Sequence, residues 1–467
     1  MGSFKVIIAG GSISGLTLAL ALERAGIDFI VLEKGNEIGP QLGASLGLHP
    51  HSLKVLDQLG VWKGLEKTIV PLMWRKHFDC TMKCFEESVV LEKIYQKQAV
   101  IKALHAKISD KSKVLSSKGI DSYEETETGV RVTTRDGSTY EGDILVGADG
   151  VHSTARKLIS EAYKKDGDAE LSQALDTGYE CNYKCIFAIS RNDPKFDMPD
   201  GWVYNAYFTG HSTVAATGVP GIIYWFLFVK CPKTQRPNCP NYTEEDCSAL
   251  IDQYGDVKMC PQFTVRDLWD TRNQAILTSL EEGVMKKWSK GRTVLCGDAI
   301  HKYTINAGLG GNTAIEDVSH LANMLNALIK ETPKPTSTQL TTLFEAYENR
   351  HHARASLVHS VSHHITCYEA QESWLYRIGS WVSPWVNDEK KAEAYANFSR
   401  QGPWLDYLPV EELDPTILSK AAAAAPQGNK NTTGDASIST SKTTGLILGT
   451  TAMLAVAGAA FWTRWQK

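Results

Sequence analysis

The chain has 467 residues, a formal net charge of −4, 43% apolar and 22% charged residues; this is the composition of a globular protein too long for one core, and it excludes wholesale disorder. No basic stripe interleaved with aromatics runs through it, so nucleic acid is excluded as a partner. Ten cysteines are too sparse for a disulfide scaffold, and the pairs Cys80/Cys84 and Cys181/Cys185 lack a histidine at zinc spacing. The thiols are therefore read as reduced core residues, and no metal is expected.

In chain order, residues 4–9 (FKVIIA) form a continuous apolar run, as a parallel strand buried on both faces requires; residues 16–24 read as a helix and 29–32 as a second strand. That is a β-α-β unit. Further on, 130–134 and 138–146 flank Asp136-Gly137, a hairpin signal. From about 166 to 287 the texture turns aromatic and β-branched, with runs at 183–189, 202–208, 213–219 and 222–229 that predict a separate antiparallel sheet. Residues 293–297 (TVLCG) return to the buried-strand texture, and 312–329 carry a helix with one apolar face. The predicted fold class is α/β: a Rossmann-like domain at 1–165, resumed at 288–370, with a substrate domain of antiparallel sheet at 166–287 between the two parts.

Three segments carry chemistry. Gly10-Gly11-Ser12-Ile13-Ser14-Gly15 joins strand to helix, and Glu33 ends the next strand. Gly10 permits the tight turn, Gly15 lets helix and strand pack closely, and the helix N-terminus offers N–H groups to a pyrophosphate, with Glu33 on the adenosine ribose. Ser12 stands where the usual fingerprint has a glycine. Asp149-Gly150, followed by His152, Ser153 and Arg156, ends a strand of the same texture. The third segment is Gly297-Asp298-Ala299-Ile300-His301, then Ile305, Gly308, Gly310, Gly311, Asn312 and Asp317. Here Asp298 is placed to hold ribityl hydroxyls, and a helix N-terminus behind the glycine loop favours negative charge on a reduced flavin. The cofactor predicted is FAD, with Gly10, Gly15, Glu33, Asp149 and Asp298 among its contacts.

These segments, in this order, together with Gln41-Leu42-Gly43-Ala44-Ser45, Tyr224-Trp225-Phe226 and Leu280-Glu281-Glu282-Gly283, resemble the FAD-dependent monooxygenases of the para-hydroxybenzoate-hydroxylase-like group. The likeness is greatest to fungal epoxidases and hydroxylases of indole-diterpene and meroterpenoid biosynthesis, and it runs from about residue 4 to 370. Carried over by position, the family's FAD contacts fall on Glu33, Gly47, Asp298 and Gly311, and its catalytic tyrosine on Tyr204 or Tyr207. Two positions depart from the pattern: Lys97-Gln98 stands where an Arg-Gln pair is usual, keeping charge but losing the planar fork, and Ile305 stands where proline is usual.

The resemblance implies an enzyme in which NADPH, a transient visitor, reduces the flavin, O2 adds at its C4a carbon, and the hydroperoxide passes one oxygen to a lipophilic, prenylated secondary metabolite. A roofing sheet rich in Trp202, Tyr204, Tyr207, Trp225 and Phe226 suits that site; most of these aromatics are equally explained as sheet core, and one or two are assigned to the pocket. The alternatives are a dehydrogenase or reductase on the same scaffold, or a non-catalytic, membrane-tethered FAD-binding protein.

After a C-terminal helical extension at 371–420, residues 421–443 read as a flexible linker. The uncharged apolar run 445–462, bounded by Lys442 and by Arg464 and Lys467, spans roughly 27 Å as a helix at about 1.5 Å per residue. A transmembrane helix at 444–463 is the expectation, a single-pass anchor with the catalytic part cytosolic and the endoplasmic reticulum as its membrane. Earlier, Trp374, Ile378, Trp381 and Trp385 fall on one helical face; core packing is the common use of such a stripe and a membrane surface the other.

Overall fold

The computed structural model describes residues 4–40, 45–66, 72–89, 93–126, 128–383 and 397–410. Its first layer is a six-stranded sheet in the order Ser289–Lys290, Thr293–Leu295, Ile144–Gly147, Lys5–Ala9, Asp28–Leu32, Val114–Leu115. All neighbours in it are parallel except the first pair. Its strands are short and wholly apolar at the centre because helices cover both faces. The helix Ile13–Ala25 is buried from Ile13 to Leu22, so it is apolar all round rather than striped, as a helix enclosed by other elements must be. It stops at Gly26, whose φ of 73° lets its N–H reach the carbonyls of Glu23 and Leu22.

The order of connection, not the strand direction, reverses between Lys5–Ala9 and Ile144–Gly147, the parallel strands that meet at the middle of the sheet. The crevice beyond their carboxyl ends is where ligands sit in open sheets of this kind. A Cβ on Gly10, whose φ is +109°, would lie 2.3 Å from the carbonyl oxygen of Ala148, and one on Gly15 would lie 1.9 Å from the carbonyl oxygen of Gly10. Close approach of backbone to backbone therefore fixes glycine at both positions.

The second layer is an eight-stranded sheet ordered His301–Lys302, Arg272–Val284, Glu180–Arg191, Ile222–Gln235, His211–Val219, Trp202–Phe208, Trp74–Phe78, Cys84–Val89. It differs from the expected domain boundaries in two places. Residues 74–89, placed by sequence in the first domain, form its far edge, where Trp74–Phe78 runs parallel to Trp202–Phe208. The run 138–146 is also broken: Thr139–Gly142 pairs back on Val130–Thr134, whereas Ile144–Gly147 enters the six-stranded sheet. Asp143 makes the switch, its Oδ2 accepting from the Lys5 N–H at 2.7 Å.

Alternation gives the eight-stranded sheet two unlike faces. One carries Tyr204, Ala206, Ala215, Trp225 and Leu227 against the helices Glu244–Tyr254 and Val265–Asp270. The other carries Val203, Tyr224, Phe226, Phe228, Phe187 and Val214, and Ile305 from the first domain packs against it. The helices Gly310–Glu331 and Ser337–Glu369 link the layers.

All ten cysteines are free, but Cys80 and Cys84 are exposed rather than core residues, because they sit at the turn of the edge hairpin. The helix Trp374–Val382 also departs from the commoner expectation. Trp374 is 67% and Trp381 74% exposed, since the helix docks through its other face, where the Tyr376 hydroxyl meets His364 Nδ1 at 2.9 Å. Among the described residues no helix is long and apolar enough to cross a membrane. The linker 421–443, the run 445–462 and Trp385 lie outside the described residues.

Candidate flavin site

The crevice at the switch point is a cleft of about 190 Å³ lined by Gly10, Ser12, Glu33, Lys34, Arg135, Asp149, Gly150 and His152, among others. The helix Ile13–Ala25 opens into it with no side-chain cap at Ser12 and no acidic residue in its first turn. Its leading N–H groups and dipole thus favour an anion. The Glu33 carboxylate stands beside it, accepting from the N–H of Gly11 at 2.6 Å and of Gly35 at 2.7 Å. A pyrophosphate at the helix end and a ribose beside Glu33 fit this donor and acceptor set. Lys34 and Arg135 were not singled out by sequence; Arg135 arrives through the Asp136-Gly137 hairpin, a signal of a turn rather than of a ligand.

Asp149 lines the cleft and also has a structural role there. Its Oδ2 accepts the N–H groups of Thr154 at 2.7 Å and Ala155 at 3.0 Å, and Ser153 Oγ donates to its Oδ1. It caps the helix Thr154–Lys165 at the cleft wall. Arg156 then ties the second motif to the third: its guanidinium, 4% exposed as a residue, donates to the carbonyls of Ala299 at 2.8 Å and Val151 at 2.6 Å.

At the third motif Gly297 has a φ of +63°, and a Cβ there would lie 2.2 Å from Ser14 Oγ. The Gly297 N–H donates to Asp317 Oδ2 at 2.8 Å, which also meets His301 Nε2 at 2.7 Å, while Asp317 Oδ1 lies 2.9 Å from His351 Nε2. All three side chains are fully buried. Burial alone would raise the Asp317 carboxyl, but the two imidazoles hold it well below its usual range. Burial likewise opposes charge on His301, and Asp317 outweighs it, so the imidazole is raised. Ligands around one ion with bonds near 2.1 Å sit roughly 3.4 Å apart, wider than these carboxylate–imidazole spacings, so Asp317 braces the turn through its hydrogen bonds to Gly297 and His301, with His351 as a close charge neighbour.

On that brace the Asp298 side chain stays about one-third exposed, paired with Lys302 at 2.5 Å, and so remains open to a polyol. The helix Gly310–Glu331 begins without a side-chain cap or a first-turn acid. Gly311 makes room for Leu46, whose Cδ1 would lie 2.5 Å from an added Cβ. Asn312 Nδ2 donates to the carbonyl of Gly47 at 2.7 Å, which sets the strand Ser45–Leu48 over this helix end. Lys97 opens the helix Lys97–Lys107, and its side chain, like residues 41–44, lies outside the described part.

The two candidate tyrosines part company. Tyr204 packs on Phe78 and Trp202, on the helix-covered face with Trp225. Tyr207, of opposite parity, faces the first domain: its hydroxyl is 2.7 Å from His77 Nδ1 and its ring lies on Tyr368 at 5.4 Å. Of the five sheet aromatics, one or two expected at the pocket, Tyr207 and Phe226 look inward, whereas Trp202, Tyr204 and Trp225 pack on the helix-covered side. Sequence reasoning missed the carboxyl at the centre of this seam, Glu369, which accepts from Asn205 and from Asn306 of the loop Ile305–Ala307.

A family model described as an FAD binding domain matches residues 3–362. The chain is 35% identical to the FAD-dependent monooxygenase janM of Penicillium janthinellum, covering 87% of this chain and 86% of that protein. It is 36% identical to the FAD-dependent monooxygenase paxM of Penicillium paxilli, over 87% of each. Among solved structures, Klebsiella pneumoniae HpxO complexed with FAD and uric acid superposes with a TM-score of 0.67 at 20% identity, over 86% of this chain and 97% of that one. That last likeness is one of fold.

Proposed function

The chain belongs to the FAD-binding-domain family and is an FAD-dependent monooxygenase of the fungal secondary-metabolite kind, and from that premise we propose that it uses NADPH and O2 to epoxidise or hydroxylate a lipophilic, prenylated intermediate of terpenoid, meroterpenoid or indole-diterpene type. The observation that carries the substrate class is the inner face of the eight-stranded sheet, where Phe187, Val214, Phe226 and Phe228 lie against Ile305. A polar substrate would find few partners there; a prenyl chain would bury against it, each methylene contributing about 0.8 kcal/mol.

The bound flavin supplies the redox chemistry: it takes electrons from a nicotinamide and activates dioxygen. The protein's part is to bind, orient and keep water out. The N-terminus of Ile13–Ala25 would hold the pyrophosphate, Glu33 the adenosine ribose and Asp298 the ribityl chain. The N-terminus of Gly310–Glu331 would face the flavin's pyrimidine edge and favour its anionic reduced form. The aromatic inner face would hold an alkene or ring beside the loop Ile305–Ala307 and exclude solvent.

We also propose that residues 445–462 anchor the chain in the endoplasmic reticulum membrane with the catalytic part in the cytosol, a location that suits a substrate dissolved in lipid. Removing residues 426–467 should release a flavin-containing protein from membranes, and retention in the membrane fraction contradicts the anchor. For the chemistry, the full chain is incubated with FAD, NADPH, heavy-isotope O2 and a prenylated indole or prenylated phenol. Product carrying one labelled oxygen supports the proposal; failure to oxidise NADPH with any such compound, or unlabelled product, contradicts it.

A further inference from the structure

Where the two layers meet, the inner face is not wholly apolar. Glu369, the last residue of the helix Ser337–Glu369, is 4% exposed. Its Oε1 accepts from Asn205 Nδ2 at 3.1 Å on the interior strand Trp202–Phe208, and its Oε2 from Asn306 Nδ2 at 2.5 Å on the loop Ile305–Ala307, which would face the flavin. Asn306 is fixed in turn, its Oδ1 lying 2.8 Å from Thr366 Oγ1. One carboxyl thus bridges the substrate sheet to the flavin loop.

We propose that Glu369 is a positioning residue whose carboxylate locks the flavin-facing loop to the substrate sheet, and whose protonation frees Asn205 to turn its amide over. The inference rests on the flavin-site reading above. An ionised carboxyl only accepts hydrogen bonds, so both amides must present nitrogen to it. Asn205 is then held with Oδ1 turned away from Glu369. That atom is buried on the inner face and has no hydrogen-bond partner among the described residues. It is an acceptor waiting for a donor, which a hydroxyl or N–H on an otherwise apolar substrate supplies. A protonated Glu369 can donate instead, and Asn205 then offers its nitrogen to the substrate.

The charge state is poised. Burial pushes the carboxyl up, and the bonds from Asn306 and Asn205 and the Arg75 guanidinium pull it part of the way back, leaving it at about 7. Arg75 faces it from the strand Trp74–Phe78, Tyr207 from Trp202–Phe208 and Tyr368 from its own helix, while Glu86 on Cys84–Val89 acts on both tyrosines. His77 is bonded to Tyr207. His363, further back on the same helix, faces Glu282.

The test uses the full chain loaded with FAD and follows the visible circular dichroism of the flavin as pH is raised from about 5 to about 9, the span that brackets ordinary histidine and this carboxyl. The wild type should show a one-proton transition with its midpoint at about 7. Glu369→Gln should lose it at unchanged flavin content, and His77→Gln should keep it. Asn306→Ala, which removes a bond to the ionised form without touching the core, should move the midpoint up by about one unit, so the idea stays testable if Glu369→Gln does not fold. A transition that survives in Glu369→Gln, or a midpoint unmoved in Asn306→Ala, overturns the proposal. A normal flavin band that is silent to pH overturns the role of Glu369 alone, whereas protein that binds no flavin overturns the site itself.

Discussion

The cofactor cleft and the inner face of the eight-stranded sheet are built on opposite principles. In the cleft most of the groups that matter are backbone, N–H groups at two helix ends and glycines at 10, 15 and 297 where a Cβ would collide with neighbouring atoms, with the Glu33 and Asp298 carboxylates beside them. Charged side chains there brace turns, as Asp149 and Asp317 do. On the inner face the groups that matter are side chains on regular strands, apolar at Phe187, Val214, Phe226 and Phe228 and polar at the Asn205–Glu369–Asn306 seam with its neighbours Arg75, His77 and Tyr207. The first arrangement suits a cofactor whose shape does not change; the second can be retuned for a new substrate by exchanging one inward residue at a time.

Breaking the cleft's brace should have the largest effect. Asp317→Asn leaves two buried imidazoles without their carboxylate and should cost about 3–5 kcal/mol, read as a drop in the denaturation midpoint and loss of bound flavin. The wild type should also be acid-sensitive through this group. Its folded pKa is depressed, so its contribution is complete above the unfolded value near 4 and is lost as pH falls below it. The variant should lack that part of the slope.

The sheet's two faces are compared most sharply at adjacent residues. Trp225→Ala should destabilise the fold by about 3–5 kcal/mol with little change in KM, because Trp225 is fully buried on the helix side. Phe226→Ala, one residue on, should raise KM for a prenylated substrate and cost less stability. Equal effects on KM would contradict the assignment of faces. Tyr204→Phe should leave turnover within about twofold, whereas Tyr207→Phe, which loses the bond to His77, should lower kcat/KM by about tenfold, the equivalent of one hydrogen bond.

The effect on the seam is set apart by its dependence on pH. The folded pKa of Glu369 is raised from 4.5 to about 7, so the folded state disfavours its ionised form, with no penalty below 4.5 and the full penalty above about 7. Glu369→Gln should therefore gain thermal stability relative to the wild type as pH rises through that window. A constant difference would contradict the shift.

The same contrast explains what could be read without a structure. Gly10, Gly15 and Glu33 stand at fixed spacing along one strand, turn and helix, so sequence alone placed them at the cleft, and the third motif likewise pointed to Asp298. Choosing between Tyr204 and Tyr207 required knowing which face the helices Glu244–Tyr254 and Val265–Asp270 cover. The texture of the strand, inward and outward residues alike, is aromatic. Glu369 was invisible for a related reason: it is one of many charged residues on a long helix, and its partners lie 164 and 63 positions away. Residues 74–89 were misplaced because strand pairing ignores order along the chain.

The flavin is proposed to lie between these two regions, its ADP half in the glycine cleft and its ring beneath the inner face. A crystal structure of the FAD-loaded chain tests this directly. The adenosine ribose is expected within hydrogen-bond reach of Glu33 and the isoalloxazine between the loop Ile305–Ala307 and Phe226; a ring packed against Tyr204 and Trp225, or turned out to solvent, would contradict this placement.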